Sequence, residues 1–323
     1  KPPKSLLRQA GRAIADYAMI RDGDRVLLGL SGGKDSLSLL HMLIHFQRHA
    51  PIRFEVGAVT VDPQSESFDP SPLIPYMESL GIPYFYEREP IVELADSHMD
   101  NDSYCAFCAR MKRGIIYRVA REHGYNVIAL AQHLDDLAES FLMSAFHGGR
   151  LQTMKAHYTI DAGDLRVIRP LVYARERQTA DFAREQELPV IIENCPACFD
   201  MPTQRQHMKE LLAGEEAENK QLFKSLLSAM RPLIAKGLAD GGDGPAGRAR
   251  HDPGLRAVAP AQQLEATHQV GHVGPEDAVV DVQLVQDEVA EVGEEGRPAC
   301  VGGHEGGVDH VRVGEDGRGV VAE

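Results

Sequence analysis

The chain has 323 residues, 43% hydrophobic and 25% charged, as expected of an ordinary globular protein, and no apolar run suits a membrane span or a signal-peptide core; a cytosolic location is expected. The net charge of −14 would argue against a nucleic-acid partner if it were uniform. It is not: residues 240–323 hold 17 acidic residues against 6 arginines, whereas residues 1–239 hold 31 acidic against 28 basic residues, and a nearly balanced body can still present a basic face.

In chain order, residues 9–24 read as a helix and its exit, closing on the turn Asp22-Gly23-Asp24. The apolar run Arg25–Leu30 suits a buried strand, and Ser36–Arg48 has apolar residues at helical spacing. A second strand is expected over Phe54–Val61, ending at Asp62, then a helix over Leu73–Leu80 and a strand over Tyr84–Tyr86. Arg118–His123 ends a helix, Val127–Ala131 reads as a strand, and Asp135–Phe146 as a helix with acidic residues at its start. Strands over Val167–Leu171 and Pro189–Ile192 flank a helix over Arg177–Glu187. Strands alternating with helices predict an α/β fold with a doubly wound parallel sheet. The expected organisation is an N-terminal helical segment (1–24), a nucleotide-binding body (25–200), a C-terminal helical segment (201–238) and an acidic Gly/Val-rich tail (239–323). After Lys236 the tail has no Lys, Phe, Tyr, Ile or Met, so it lacks the anchors that bury surface and reads as a disordered or non-native extension.

The sharpest motif is Ser31-Gly32-Gly33-Lys34-Asp35-Ser36, between a strand and a helix. Two glycines allow a tight turn and close backbone approach. The N–H groups of the following helix then point at an anion, with Ser31, Lys34 and Ser36 adding donors. Such a loop suits pyrophosphate. It lacks the spacing of a Walker A loop.

Four of the five cysteines form two Cys-x-x-Cys pairs, Cys105/Cys108 and Cys195/Cys198. In a reducing compartment these suggest metal or redox chemistry. Spacing alone leaves open a closed zinc tetrathiolate, a redox dithiol and an iron–sulfur cluster on three of the four. The first pair opens a basic run of Arg110, Lys112, Arg113, Arg118 and Arg121, which could contact nucleic-acid phosphates or form a solvated helix face. Arg205 and Lys209 are weaker candidates of the same kind.

The hexapeptide resembles the loop of the N-type (PP-loop) ATP pyrophosphatases, which cleave ATP between the α and β phosphates and have an adenine nucleotide α-hydrolase fold. Five motifs in order, SGGKDS, CAFCARMKRGIIYR, ALAQHLDDLAESFLMSAFHGG, VIRPLVYARE and CPACFDMPTQRQ, resemble the tRNA 2-thiocytidine synthetases within that superfamily. The likeness spans about residues 8–235.

The resemblance implies ATP-dependent thiolation of cytidine at anticodon-loop position 32 of tRNA. Ser31, Gly32, Gly33, Lys34, Asp35, Ser36 and His133 would bind ATP. Asp62 and Asp136 would hold Mg²⁺ or handle protons, and Lys112 would stabilise phosphate or polarise the substrate. A [4Fe–4S] cluster would sit on Cys105, Cys108 and Cys195, with Cys198 as the alternative third ligand. The implied partners are tRNA and a sulfur donor such as a cysteine desulfurase persulfide, and the family leaves a homodimer open. One departure stands out. The family's Gly-His-His-x-Asp-Asp is here Ala131-Gln132-His133-Leu134-Asp135-Asp136, which replaces one His donor with Gln. Competing readings are a 2-thiouridine or lysidine synthetase-like adenylating enzyme and a non-catalytic zinc-stabilised RNA-binding protein.

Overall fold

The computed structural model describes residues 1–65, 68–98, 104–191 and 204–235. Cys195, Cys198 and the acidic tail lie outside the described residues. The chain runs α1 (Lys4–Asp16), β1 (Arg25–Gly29), α2 (Lys34–His49), β2 (Glu55–Asp62), α3 (Leu73–Leu80), β3 (Tyr84–Arg88), α4 (Ile91–His98), α5 (Tyr104–Glu122), β4 (Val127–Ala129), α6 (Leu134–His147), β5 (His157–Thr159), β6 (Arg166–Ile168), α7 (Glu176–Glu185), α8 (Gln204–Glu218) and α9 (Leu222–Ile234).

One sheet of order β3-β2-β1-β4-β6-β5 organises the protein. The β1–β2, β2–β3, β1–β4 and β4–β6 pairs are parallel. Because successive side chains on a strand point to opposite faces, the strands feed two cores. Val26, Leu28, Val127 and Ala129 pack with α1, α2 and α7 residues, among them Leu6, Leu40 and Phe182, on one face. Leu27, Ile128 and Val167 pack with Ile115 and Val119 of α5 on the other. Strands buried on both sides read as continuous apolar runs, which is why β1 and β2 were legible. The helices α8 and α9 pack chiefly on α6.

Three local expectations need correction. The first helix begins at Lys4 and ends at Asp16, so Tyr17–Asp24 is its exit. The last strand is not Pro189–Ile192: its described part, residues 189–191, makes one bond into the phosphate loop, Ile191 N to Gly32 O at 2.9 Å. The edge beyond β6 is instead taken by β5, which pairs antiparallel through His157↔Ile168, Tyr158↔Val167 and Thr159↔Arg166. Three residues of strand at an edge leave too little periodicity to detect. The strand expected over Val167–Leu171 is three residues, Arg166–Ile168, and the chain then turns at Pro170.

Candidate active site

The chain enters the sheet at β1, winds outward to β3, and returns to place β4 on the other side of β1. Loops leaving β1 and β4 therefore diverge, opening a crevice at their C-terminal ends, where open α/β sheets bind ligands. A cavity of about 380 Å³ lies there. Its polar lining comes from the β1–α2 loop (Ser31, Gly33, Asp35, Ser36), from α5 (Lys112) and from the β4–α6 turn (Gln132, Asp136). Val59, Val61, Phe68, Ile116 and Leu130 supply an apolar wall.

The phosphate loop is held by its own side chains. Ser31 Oγ accepts from Gly33 N at 3.3 Å and lies 3.2 Å from Ser36 Oγ, and Ser36 Oγ donates to Gly33 O at 2.9 Å. Gly32 has φ +84°, which glycine adopts without strain. Gly33 is the N-cap of α2 in extended conformation with no side-chain cap, so the helix start keeps its amide donors for a ligand.

Lys34 Nζ lies 3.0 Å from Asp35 Oδ2 and 3.0 Å from Glu176 Oε1. Burial works against the lysine's charge, but Asp35 and Glu176 outweigh it and raise the pKa. Glu176 also receives Lys209 Nζ at 2.8 Å. Burial would raise its pKa; the Lys209 and Lys34 hydrogen bonds reverse this and push it down to about 2. Thr179 Oγ1 donates to Asp35 Oδ1, tying α7 to α2. Glu176 and Thr179 were not singled out from the sequence. Their only signal is the Tyr-Ala-Arg-Glu motif, with Thr three residues further on.

The second acidic motif is a helix start. His133 N donates to Asp136 Oδ2 at 2.9 Å, and Asp136 N donates to His133 Nδ1 at 3.3 Å, a reciprocal cap on α6. His133 is buried, and its Nε2 faces Asp35 Oδ2 at 3.7 Å, so the ring links the two acidic sides of the cavity. Asp135 points the other way. It takes Arg175 Nε at 3.0 Å and Glu176 N at 2.8 Å, while Arg175 grips Glu216 at 2.7 and 2.8 Å. Asp135 is thus an architectural tie between α6, α7 and α8, and Asp136 is the aspartate that lines the cavity. Arg205 Nη1 lies 3.6 Å from Asp136 Oδ1 and 3.2 Å from Glu139 Oε2. Burial and neighbouring Asp136 push the Glu139 pKa up.

The structure brings together Ser31, Gly32, Gly33, Lys34, Asp35, Ser36, His133, Asp136 and Lys112. Asp62 stands at the end of β2 beside the cavity-lining Val61, but its carboxylate accepts from Tyr86 Oη at 2.9 Å and from Gln64 N at 2.9 Å, and it is not among the lining residues. Burial and Asp62 together push the Tyr86 pKa up to about 12. Cys108 is half-buried on α5, four residues before Lys112, and Cys105 precedes it by one helical turn. No group of three potential metal-ligating side chains occurs among the described residues. Along α5, Arg110 has a buried Nε without a hydrogen-bond partner among the described residues. Arg118 pairs with Glu87 and Glu89 at 3.1 and 2.9 Å, and Arg121 with Asp164 at 2.7 Å. Lys209 and Arg205, expected as weaker nucleic-acid contacts, hold the carboxylates of Glu176 and of Glu139 and Asp136.

Comparison with known proteins agrees with this arrangement. Residues 4–198 match the family model of a PP-loop domain. The chain is similar to the tRNA-cytidine(32) 2-sulfurtransferase of Geobacter sulfurreducens, 40% identical over 238 residues that cover 73% of this chain and 93% of the relative. The same-named protein of Chromohalobacter salexigens is 39% identical over 242 residues, 74% and 84% of the two chains. Among solved structures, the U34-tRNA thiolase NcsA from Methanococcus maripaludis with its [4Fe-4S] cluster shares the fold, with a TM-score of 0.56, 21% identity and coverage of 72% of this chain and 79% of that one. With a pyrophosphate-type loop, a capped His133–Asp136 turn and a cysteine-bearing helix meeting at one crevice, and with relatives alike over nearly their whole length, the chain belongs to the tRNA-cytidine(32) 2-sulfurtransferase family of PP-loop proteins.

Proposed function

We propose that this protein thiolates cytidine in tRNA at the expense of ATP, cleaved to AMP and pyrophosphate. The observation that carries the reading is the single cavity in which the phosphate loop, Asp136 and Lys112 of the cysteine-bearing helix converge. The amides at the start of α2 and the Ser31 and Ser36 hydroxyls receive the β and γ phosphates. Lys34, already charged and held between Asp35 and Glu176, turns toward them. Asp35 and Asp136, on opposite sides of His133, are the carboxylates best placed to hold Mg²⁺; Asp62 is the more distant candidate. The apolar wall of Val59, Val61, Ile116 and Leu130 accepts a flat base.

A cytosine C2 oxygen is a poor leaving group. Its attack on the α-phosphorus forms an O–P bond, breaks the bond to pyrophosphate and converts the oxygen into part of AMP. Sulfur then adds at C2, and the C2–O bond breaks to release AMP. Lys112 faces the same cavity and offsets the charge that develops on the adenylated oxygen.

Cys105 and Cys108 stand three apart in the sequence of α5, and Cys108 is half-buried one turn ahead of Lys112, a spacing that suits two thiolate ligands of one iron–sulfur centre. With Cys195 as third ligand and Cys198 as its alternative, three thiolates would hold a [4Fe–4S] cluster. The chemistry such a cluster supplies is an iron with an open position for exogenous sulfur. We infer a persulfide-bearing cysteine desulfurase as donor, with a thiol reductant that supplies the two electrons needed to bring the persulfide's outer sulfur to the sulfide level and leaves as a disulfide. Arg110 and Arg113 are the proposed tRNA phosphate contacts, since Arg118 and Arg121 already hold carboxylates toward the far end of the helix. No helix among the described residues is long and apolar enough to cross a membrane. The proposed setting is cytoplasmic, and a homodimer is compatible with it.

The test is direct. Purified protein with ATP, Mg²⁺, a sulfide source and tRNA lacking the modification should yield 2-thiocytidine together with AMP and pyrophosphate. Release of ADP and phosphate, or a thiolated uridine in place of cytidine, would overturn the assignment.

A further inference from the structure

One buried group remains unused by that scheme. Arg169 follows β6 and is 7% exposed, yet no carboxylate lies within ion-pair distance of it among the described residues. Its donors go to neutral acceptors: Nη1 to Lys155 O at 2.7 Å and Nε to Gln132 Oε1 at 3.0 Å. Its guanidinium lies 5.5 Å from the centroid of the Tyr158 ring. A guanidinium stays protonated in proteins, and a buried charge without a counter-charge is costly. An anion arriving nearby would therefore be favoured.

Gln132 stands between this charge and the cavity that it lines. Arg169 can only donate, so the amide atom facing it must be the oxygen. That fixes the side chain's orientation and leaves its NH2 as the remaining donor, for which the described residues provide no acceptor. A donor polarised from behind by a cation is strengthened. We propose that Gln132 donates to a non-bridging oxygen of the α-phosphate of ATP, with Arg169 as the positioning residue that orients the amide and supplies the balancing charge. The inference rests on the ATP-cleaving reading above.

The experiment uses the full chain and two probes in calorimetry, α,β-methylene-ATP and inorganic pyrophosphate. Gln132→Met keeps the length and removes the amide. It should weaken the analogue by about tenfold or more, the size of one hydrogen bond to a charged group, and leave pyrophosphate binding unchanged. Gln132→Glu places a carboxylate against Arg169. It should raise the unfolding temperature, because the buried cation gains a partner, and weaken the analogue further than Gln132→Met does. A merely structural glutamine predicts no such opposition of stability and binding. Arg169→Lys, which keeps charge but loses the fork, should bind the analogue between the parent and Gln132→Met. Unchanged analogue binding by Gln132→Met, equal weakening of both probes, or a less stable Gln132→Glu would each overturn the inference. If the parent binds neither probe, the ATP reading itself falls.

Discussion

Gly32→Ala probes how the loop is built. At φ +84° an alanine costs about 1–2 kcal/mol relative to its ordinary conformations. The added methyl would sit 2.8 Å from Ile191 Cγ1 and 3.0 Å from Ile191 Cβ, closer than real carbon contacts allow. Relief requires Ile191 to retreat, yet its N–H is bonded to Gly32 O at 2.9 Å. Losing that bond costs about 1 kcal/mol. The sum is about 2–3 kcal/mol, within the range of diagnosable single-site lesions. Urea unfolding should show it as a midpoint lowered by about 1 M if m is about 2–3 kcal/mol/M. Ile191→Ala removes the nearer clashing atom, so the double variant should be more stable than the sum of the singles by about 1 kcal/mol, as expected for residues in contact. A Gly32→Ala protein within about 0.5 kcal/mol of the parent would refute the claim that this position is reserved for glycine. Strict additivity would refute Ile191 as the obstacle.

Other expectations follow from the same geometry. Glu176 has its folded pKa pushed down to about 2, so its contribution is present above the ordinary carboxylate range and is lost as pH falls toward 2; Glu176→Gln should be less stable than the parent at pH 7 and show a flatter acid limb in denaturation followed by circular dichroism. Arg118→Ala and Arg121→Ala remove exposed pairs and should cost under about 1 kcal/mol each while leaving the salt dependence of tRNA binding unchanged. Arg110→Ala and Arg113→Ala should each lower the slope of log K against log salt by about one. Iron analysis of anaerobically prepared protein should show loss of the cluster in Cys105→Ser, Cys108→Ser and Cys195→Ser and retention in Cys198→Ser; zinc without iron in the parent would refute the cluster assignment. Truncation after Lys236 should leave the urea midpoint and ATP binding unchanged, because the tail has no Phe, Tyr, Trp, Ile or Met with which to anchor a core.

The sequence by itself determined the parts of this protein that are local. Continuous apolar runs marked β1 and β2 because central parallel strands are buried on both faces. The two glycines of Ser31–Ser36 announced an anion loop because few other residues accept φ +84° at Gly32. Short edge pairing was not legible: β5 is three residues and gains its meaning only from β6. The resemblance singled out Asp136 for Mg²⁺ or protons, but the strut role of its neighbour Asp135 was not legible. Adjacent residues on a helix point about 100° apart, and only the position of Arg175 decided which carboxylate became a strut and which faced the cavity. Arg118 and Arg121 likewise read as phosphate contacts or a solvated helix face, and only the fold placed Glu87, Glu89 and Asp164 beside them. Glu176, Thr179, Gln132 and Arg169 came to the site through contacts spanning up to 144 residues. Long-range pairing of this kind depends on strand order, and strand order is a property of the folded sheet, not of any window of the chain.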